Sequence, residues 1–355
     1  MTGKKDWLYQ TRALAIMAVV VFHQIGILHE SQWIQSTCIF HVTALVFLMG
    51  ITSSFWLKSK NRFKGKEIFL ETLHKMLPLI GSYIVATYAY DVFVHDRMRG
   101  LWDYNALLKD LLSFASAPPF YFLEYYFAFT LLAPVVFVLI KTVNDKFRSA
   151  LRLVFYVLIV AAAFVIGYFN ITRMHFFGGS FFAIYVLGMI WGLYDCPFGK
   201  KAIALPVGGA CLIFGWFSTW ELYRNVNQGT GKLPFVDRLT PALGLNPTNF
   251  SIIIYALSIV FVFGILFDLM NKIKFKPVTW FGKLISLIGK YSLDIFLWHV
   301  LIMIRVNSID IPLWPKRIVS YSAMIFLPIL GRLAYNKLKS LVKGFYDRDA
   351  ETPVR

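Results

Sequence analysis

The sequence predicts an all-α fold: a polytopic integral membrane helix bundle that crosses the bilayer about ten times, with both termini in the cytoplasm. Three observations lead there. Only 15% of the 355 residues are charged and 58% are hydrophobic, where a soluble domain carries roughly a quarter of its residues as Asp, Glu, Lys or Arg. The apolar residues are gathered into runs suited to crossing about 30 Å of hydrocarbon, which takes roughly 20 residues of helix. Lys and Arg are concentrated in alternate loops between those runs.

In order, the runs cover residues 12–28, 37–57, 76–94, 118–140, 151–169, 176–194, 202–222, 249–270, 285–304 and 317–338. They are continuous and lack the alternation of outer-membrane strands, so helices are expected rather than a barrel. The first run follows Lys4, Lys5 and Arg12 as a secretion signal would. It continues into His23, Gln24, His29 and Glu30 with no small-residue cleavage pattern, and so reads as a retained helix.

A net charge of +17 would suit a nucleic-acid partner if the basic residues formed one patch. They do not. Lys58, Lys60, Arg62, Lys64 and Lys66 follow the second run; Lys141, Lys146, Arg148 and Arg152 follow the fourth. Lys200 and Lys201 follow the sixth, Lys272, Lys274, Lys276 and Lys283 the eighth, and Lys337, Lys339 and Lys343 lie toward the end. The intervening loops are poor in cations: residues 29–36 have none and 170–175 only Arg173. The charge is therefore a topology signal, the partner is the lipid bilayer, and no nucleic acid is expected.

Two outer loops are longer. Residues 105–116 have apolar positions at helical spacing and are expected to lie along the interface. Residues 224–246, with Gly229, Gly231, Pro234, Pro241 and Gly244, read as irregular. Cys38, Cys196 and Cys211 have no paired spacing, which predicts neither a disulfide framework nor a metal site. The whole of residues 1–355 reads as one transmembrane domain, with a cytoplasmic tail from about residue 339.

Ionisable groups inside spans cost at least about 2.5–3.5 kcal/mol each at the helix centre and tend to mark function. Arg12 and His23 lie close to three helical turns apart, on one face and separated by about 16 Å. His299 sits toward the outer end of the ninth run, as His23 does in the first, and Glu124 enters the fourth run from outside. His23, Glu124 and His299 are thus expected in one layer, roughly 7–9 Å below the outer surface, which His41 approaches from the second run. Two imidazoles and a carboxylate at one depth suit general acid–base work. The plainer alternatives are that the histidines bond neighbouring helices and that Arg12 anchors topology. Asp294 follows Lys290 by four residues and is expected to pair with it; Asp91 and Asp268, near helix ends, are expected to be solvated.

Read in order, several short motifs fall on successive helices. R-A-L-A-I-M-A-V-V-V-F-H runs from Arg12 to His23, and F-L-M-G-I from Phe47 to Ile51. H-K-M-L-P spans His74 to Pro78, and P-F-Y-F-L-E-Y-Y-F spans Pro119 to Phe127. F-A-I-Y-V-L-G covers Phe182 to Gly188, and L-I-G-K-Y-S-L-D-I-F-L-W-H covers Leu287 to His299. Together they resemble the family-three membrane acyltransferases, a group that includes O-acetyltransferases of lipopolysaccharide O-antigen, peptidoglycan and other surface glycans. Met49 stands where that family has Ser, Tyr121 where Trp is common, and its paired arginines before the third helix are reduced to Lys75, with Thr72 at the other position.

The resemblance implies an acyltransferase of the plasma membrane, multi-pass. No cofactor is held; acetyl-CoA or another acyl-CoA serves as cosubstrate from the cytoplasm, and a hydroxyl of a surface glycan or glycolipid is the acceptor. It makes His23 a base or transient acyl carrier, with Glu124 orienting it and His299 beside it. It gives Arg12 and Lys75 to donor binding. A transporter of polysaccharide or lipid-linked sugar stays open as the alternative, as does N-acylation or a small-molecule acceptor. The sequence does not fix the acyl length or the oligomeric state.

Overall fold

The computed structural model describes residues 6–24, 31–60, 65–94, 104–114, 116–168, 178–196, 198–230, 232–239 and 249–350. Among them all regular structure is helical. The α-helices are α1 (Asp6–Phe22), α2 (Gln32–Cys38), α3 (His41–Lys58), α4 (Gly65–Phe93), α5 (Tyr104–Ser113), α6 (Tyr121–Lys146) and α7 (Ser149–Gly167). They continue as α8 (Ser180–Leu193), α9 (Lys201–Asn227), α10 (Phe250–Met270), α11 (Lys276–Lys290), α12 (Ser292–Asn307) and α13 (Leu313–Ala350).

Each of the ten apolar runs is helical. By length and composition, however, 7 helices suffice to cross a membrane, or 8 if the bent pair α11–α12 is one span. The two runs that fall short are α1, with 17 residues, and α8, with 14, against roughly 20 for a lone crossing. Both lie in the interior of the bundle. Most of their residues are buried, whereas α7 turns Leu153, Val157, Leu158 and Val165 outward. An outward apolar face of this kind is what hydrocarbon tolerates. α1 packs against α3, α10, α11 and α12, which makes it the axis of the bundle.

The α3–α8 crossing explains two of the motif glycines. A Cβ on Gly50 would collide with the carbonyl oxygen of Tyr185, and one on Gly188 with the carbonyl oxygen of Phe47. The two backbones touch there, as small residues allow between membrane helices.

The ninth run is not one helix. It breaks at Tyr291, where α11 and α12 meet at 74°. The bend destroys the four-residue register between Lys290 and Asp294, and the expected pair does not form. Asp294 instead accepts from Nε of Arg332 on α13 at 2.8 Å. Asp268 is not left to solvent either: it pairs with Lys201 and Lys272. Asp91 is buried.

The expected interfacial helix is α5, which exposes Leu108 and Leu112 and is tied to α4 where the Tyr83 hydroxyl donates to the Leu111 carbonyl at 2.9 Å. The stretch expected to be irregular begins as the last turn of α9. It then forms a 3-10 turn, Phe235–Leu239, pinned when Asp237 accepts from the backbone N–H of Ser251 at 2.9 Å. Residues 240–248 lie outside the described residues.

Gly188→Ala is expected to lower the melting temperature of the detergent-purified protein by several degrees, since overpacking costs about 1–3 kcal/mol. Gly209→Ala, where an added Cβ meets nothing within 4 Å, is expected to leave it unchanged or slightly raised.

Candidate functional site

Two helix ends and the middle of a third helix bring three imidazoles together. His23 follows α1 directly, its N–H still donating to the Val19 carbonyl at 3.1 Å. His41 opens α3, and His299 lies within α12, fully buried. The His23 and His299 rings stand 5.1 Å apart, centroid to centroid. Phe22 packs on His41 at 4.8 Å, and His23 is within electrostatic reach of both other rings. Gln24 fixes this end of α1 by donating to Ser320 Oγ at 3.0 Å.

The hydrogen bonds decide which nitrogen does what. His299 Nδ1 lies 2.9 Å from the Phe296 carbonyl, and His41 Nδ1 lies 2.7 Å from the Cys38 carbonyl. A carbonyl only accepts, so each Nδ1 carries the proton and each Nε2 presents a lone pair. Nε2 of His299 is buried without a partner. His23 makes no side-chain hydrogen bond among the described residues and is only half-buried. It is the ring left open to another molecule.

The turn that carries His299 is itself held from outside. Leu301 N–H donates to the Tyr90 hydroxyl at 2.9 Å, and that hydroxyl donates to the Leu297 carbonyl at 3.4 Å. A side chain inserted into a helix ladder in this way fixes a local bend.

At the other end of α1 lies a cavity of about 550 Å³ lined by Arg12, Lys75 and Lys290, with Tyr9, Trp56 and Tyr126 among its aromatic walls. The Lys75 ammonium sits 4.4 Å from the Trp56 ring centre, and the Arg12 guanidinium 5.9 Å from that of Tyr9. None of the three cations forms an ion pair among the described residues, and no carboxylate lines the space. Phe122 and Phe296, 4.9 Å apart, close the cavity toward the imidazoles, and Phe296 lies 5.9 Å from His299. Three uncompensated cations in a largely enclosed, aromatic-walled space suit a phosphate-bearing anion with an apolar extension.

The residues expected from sequence thus fall into two groups. His23 and His299 meet at one end; Arg12 and Lys75 share the cavity at the other. Glu124 joins neither. It stands in the first turn of α6 with Tyr83 and Tyr125 as its electrostatic neighbours, and among the described residues no hydrogen bond or ion pair links it to an imidazole. Depth along a helix says nothing of direction around it, and α6 turns Glu124 aside. His41 takes the third place in the layer. Lys290, read from sequence as a partner for Asp294, is a cavity residue instead. The signal was the Gly289–Lys290–Tyr291 break, since Gly289 lets α11 close onto the Tyr9 carbonyl of α1. Tyr90 and Gln24 carried no signal at all.

Millimolar pyrophosphate is expected to raise the melting temperature of the purified protein, because a ligand of the folded state stabilises it. The rise should vanish in the Arg12→Gln, Lys75→Gln, Lys290→Gln triple variant and shrink with added salt.

A family model described as an acyltransferase domain, the third such family, matches residues 5–334. No curated protein and no solved structure matches the chain.

Proposed function

The chain belongs to the family-three acyltransferase domain family, and from that premise we propose that it moves an acyl group, acetyl first among candidates, from a cytoplasmic acyl-CoA to a hydroxyl of a cell-surface glycan or glycolipid. One observation carries this reading: α1 bears the unpaired Arg12 of the cation cavity at one end and the open imidazole of His23 at the other. The two are about 16 Å apart along the helix. A coenzyme A thioester has that form, with phosphates at one end of a long arm and the reactive carbonyl at the other.

In this reading the Lys- and Arg-rich loops face the cytoplasm of a plasma-membrane protein. Arg12, Lys75 and Lys290 hold the donor phosphates, and the arm passes Phe122 and Phe296 toward the imidazoles. His299, whose own N–H is committed to the Phe296 carbonyl, presents its unpartnered Nε2 toward the His23 ring 5.1 Å away, and in the reacting state the N–H of His23 turns to it. That leaves the other nitrogen of His23 as the base. It takes the proton of the acceptor hydroxyl as the oxygen attacks the thioester carbonyl. The C–S bond breaks, the ester C–O bond forms, and the proton returns from His23 to the departing thiolate. His299 thus does for His23 what the sequence reading gave to Glu124.

His23→Ala is expected to lower acyl transfer by about 10²–10⁴, the usual worth of a general base, while the protein stays in the membrane at normal abundance. Arg12→Lys should keep partial activity if only charge matters, and lose nearly all if a fork of donors grips the phosphate. The readout is acetyl on extracted surface glycan. Normal acetylation by an abundant His23→Ala protein would overturn the mechanism. Polysaccharide export that depends on the chain while acetylation does not would put a transporter in its place.

The orientation has its own test. A cysteine at Gln228, exposed at the end of α9, is expected to react with an impermeant thiol reagent on intact cells; labelling only after lysis would invert the topology.

A further inference from the structure

A second groove lies between α4, α12 and α13, on a face of α12 about a quarter turn from His299, and shares no lining residue with the cation cavity. Its volume is about 810 Å³, and its apolar wall is made by Val85, Trp298, Ile302 and Leu327. Ile302 and Leu327 also line a further apolar recess of about 630 Å³ that ends at Arg305. The trough therefore follows α12 from Asp294 to Arg305, about 16 Å at the rise of a helix.

Two features distinguish it from an ordinary seam between helices. Gly81 on α4 and Gly331 on α13 line it, yet an added Cβ at either would meet nothing within 4 Å. These glycines do not bring helices together as Gly50 and Gly188 do. A glycine inside a helix sacrifices stability relative to alanine, and here the effect is to keep the trough wide.

The second feature is charge at one end. Arg332 donates from Nε to Asp294 at 2.8 Å and from Nη2 to Ser82 Oγ at 3.3 Å. A guanidinium has five N–H donors, so three remain without a hydrogen-bond partner among the described residues. Lys339 lies about 10 Å further along α13 at the end of its span and forms no ion pair among the described residues. In contact with hydrocarbon alone, the free donors of Arg332 would be left unsatisfied.

We propose that this trough binds one anionic glycerophospholipid of the bilayer, its acyl chains along Trp298, Ile302 and Leu327 and its phosphate on Arg332 and Lys339. Planar Arg donors match phosphate oxygens, and the aliphatic wall matches the chains. A second copy of this chain is a poorer occupant, because each copy carries a net charge of +17 and would bring like charge to the cationic end. The bound lipid braces α12 on the face adjacent to the one that carries His299.

The test is native mass spectrometry of the full-length protein released from membranes in mild detergent. The wild type is expected to retain one anionic phospholipid, with at least tenfold preference over a zwitterionic lipid of the same chains added in equal amount. Arg332→Gln with Lys339→Gln should abolish the preference. Gly331→Leu should abolish retention, and if that variant does not fold, Gly81→Leu fills the trough from the other helix. Retention unchanged in a folded Gly331→Leu or Gly81→Leu variant would overturn the proposal. So would equal retention of the zwitterionic lipid, a retained mass carrying sugar, or a lipid-free dimer.

Discussion

Inside hydrocarbon a charge must be paired or must line space that water or a polar ligand enters, and the rest of this bundle follows from that constraint. Asp268 meets it by pairing with Lys201 and Lys272, and Asp294 by pairing with Arg332 across α12 and α13. Arg12, Lys75 and Lys290 do not pair. They surround a cavity instead, and the aromatic faces of Tyr9 and Trp56 take up part of their charge. Helix-pinning charges find carboxylates; cavity cations are kept free of them.

The helices themselves were legible from sequence because hydrocarbon imposes a length and a composition that ordinary counting detects. Among the described residues each of the ten apolar runs contains helix, and the amphipathic α5 forms where the spacing of residues 105–116 placed it. Counting leaves α1 and α8 open, because their described helices have 17 and 14 residues and are packed among neighbouring helices. It failed at Tyr291, where no proline announces the break. The turn there follows from Gly289, whose missing side chain lets α11 lie on the backbone of α1.

Site residues were legible to the degree that they depend on depth alone. Arg12 and His23 share a face because eleven residues are close to three turns, a property of one helix. His299 faces His23 because both ends were placed at one level and both turned inward. Glu124 had the level without the direction. The azimuth of α6 is set by aromatic packing, Tyr125 on Phe129 and Phe122 on Phe296, and a sequence does not show which side of an aromatic-rich helix finds the larger partner surface. Lys290 was misread for a related reason, since a four-residue spacing means proximity only while the helix continues.

The short first helix has a consequence for the chemistry proposed. A span of full length would bury His23 under further turns, with its imidazole facing neighbouring side chains on all sides. Because α1 ends at Phe22, the ring stands at a helix terminus, half-buried, beside His299 and, among the described residues, without a hydrogen-bond partner of its side chain. The same helix lines the cation cavity, so the eleven residues from Arg12 to His23, about 16 Å of helix, set the separation between anion-binding end and base. That distance is fixed by the backbone hydrogen bonds of a single buried helix, with no loop between the two groups to absorb error. A rigid ruler of this kind selects a donor by length as well as by charge.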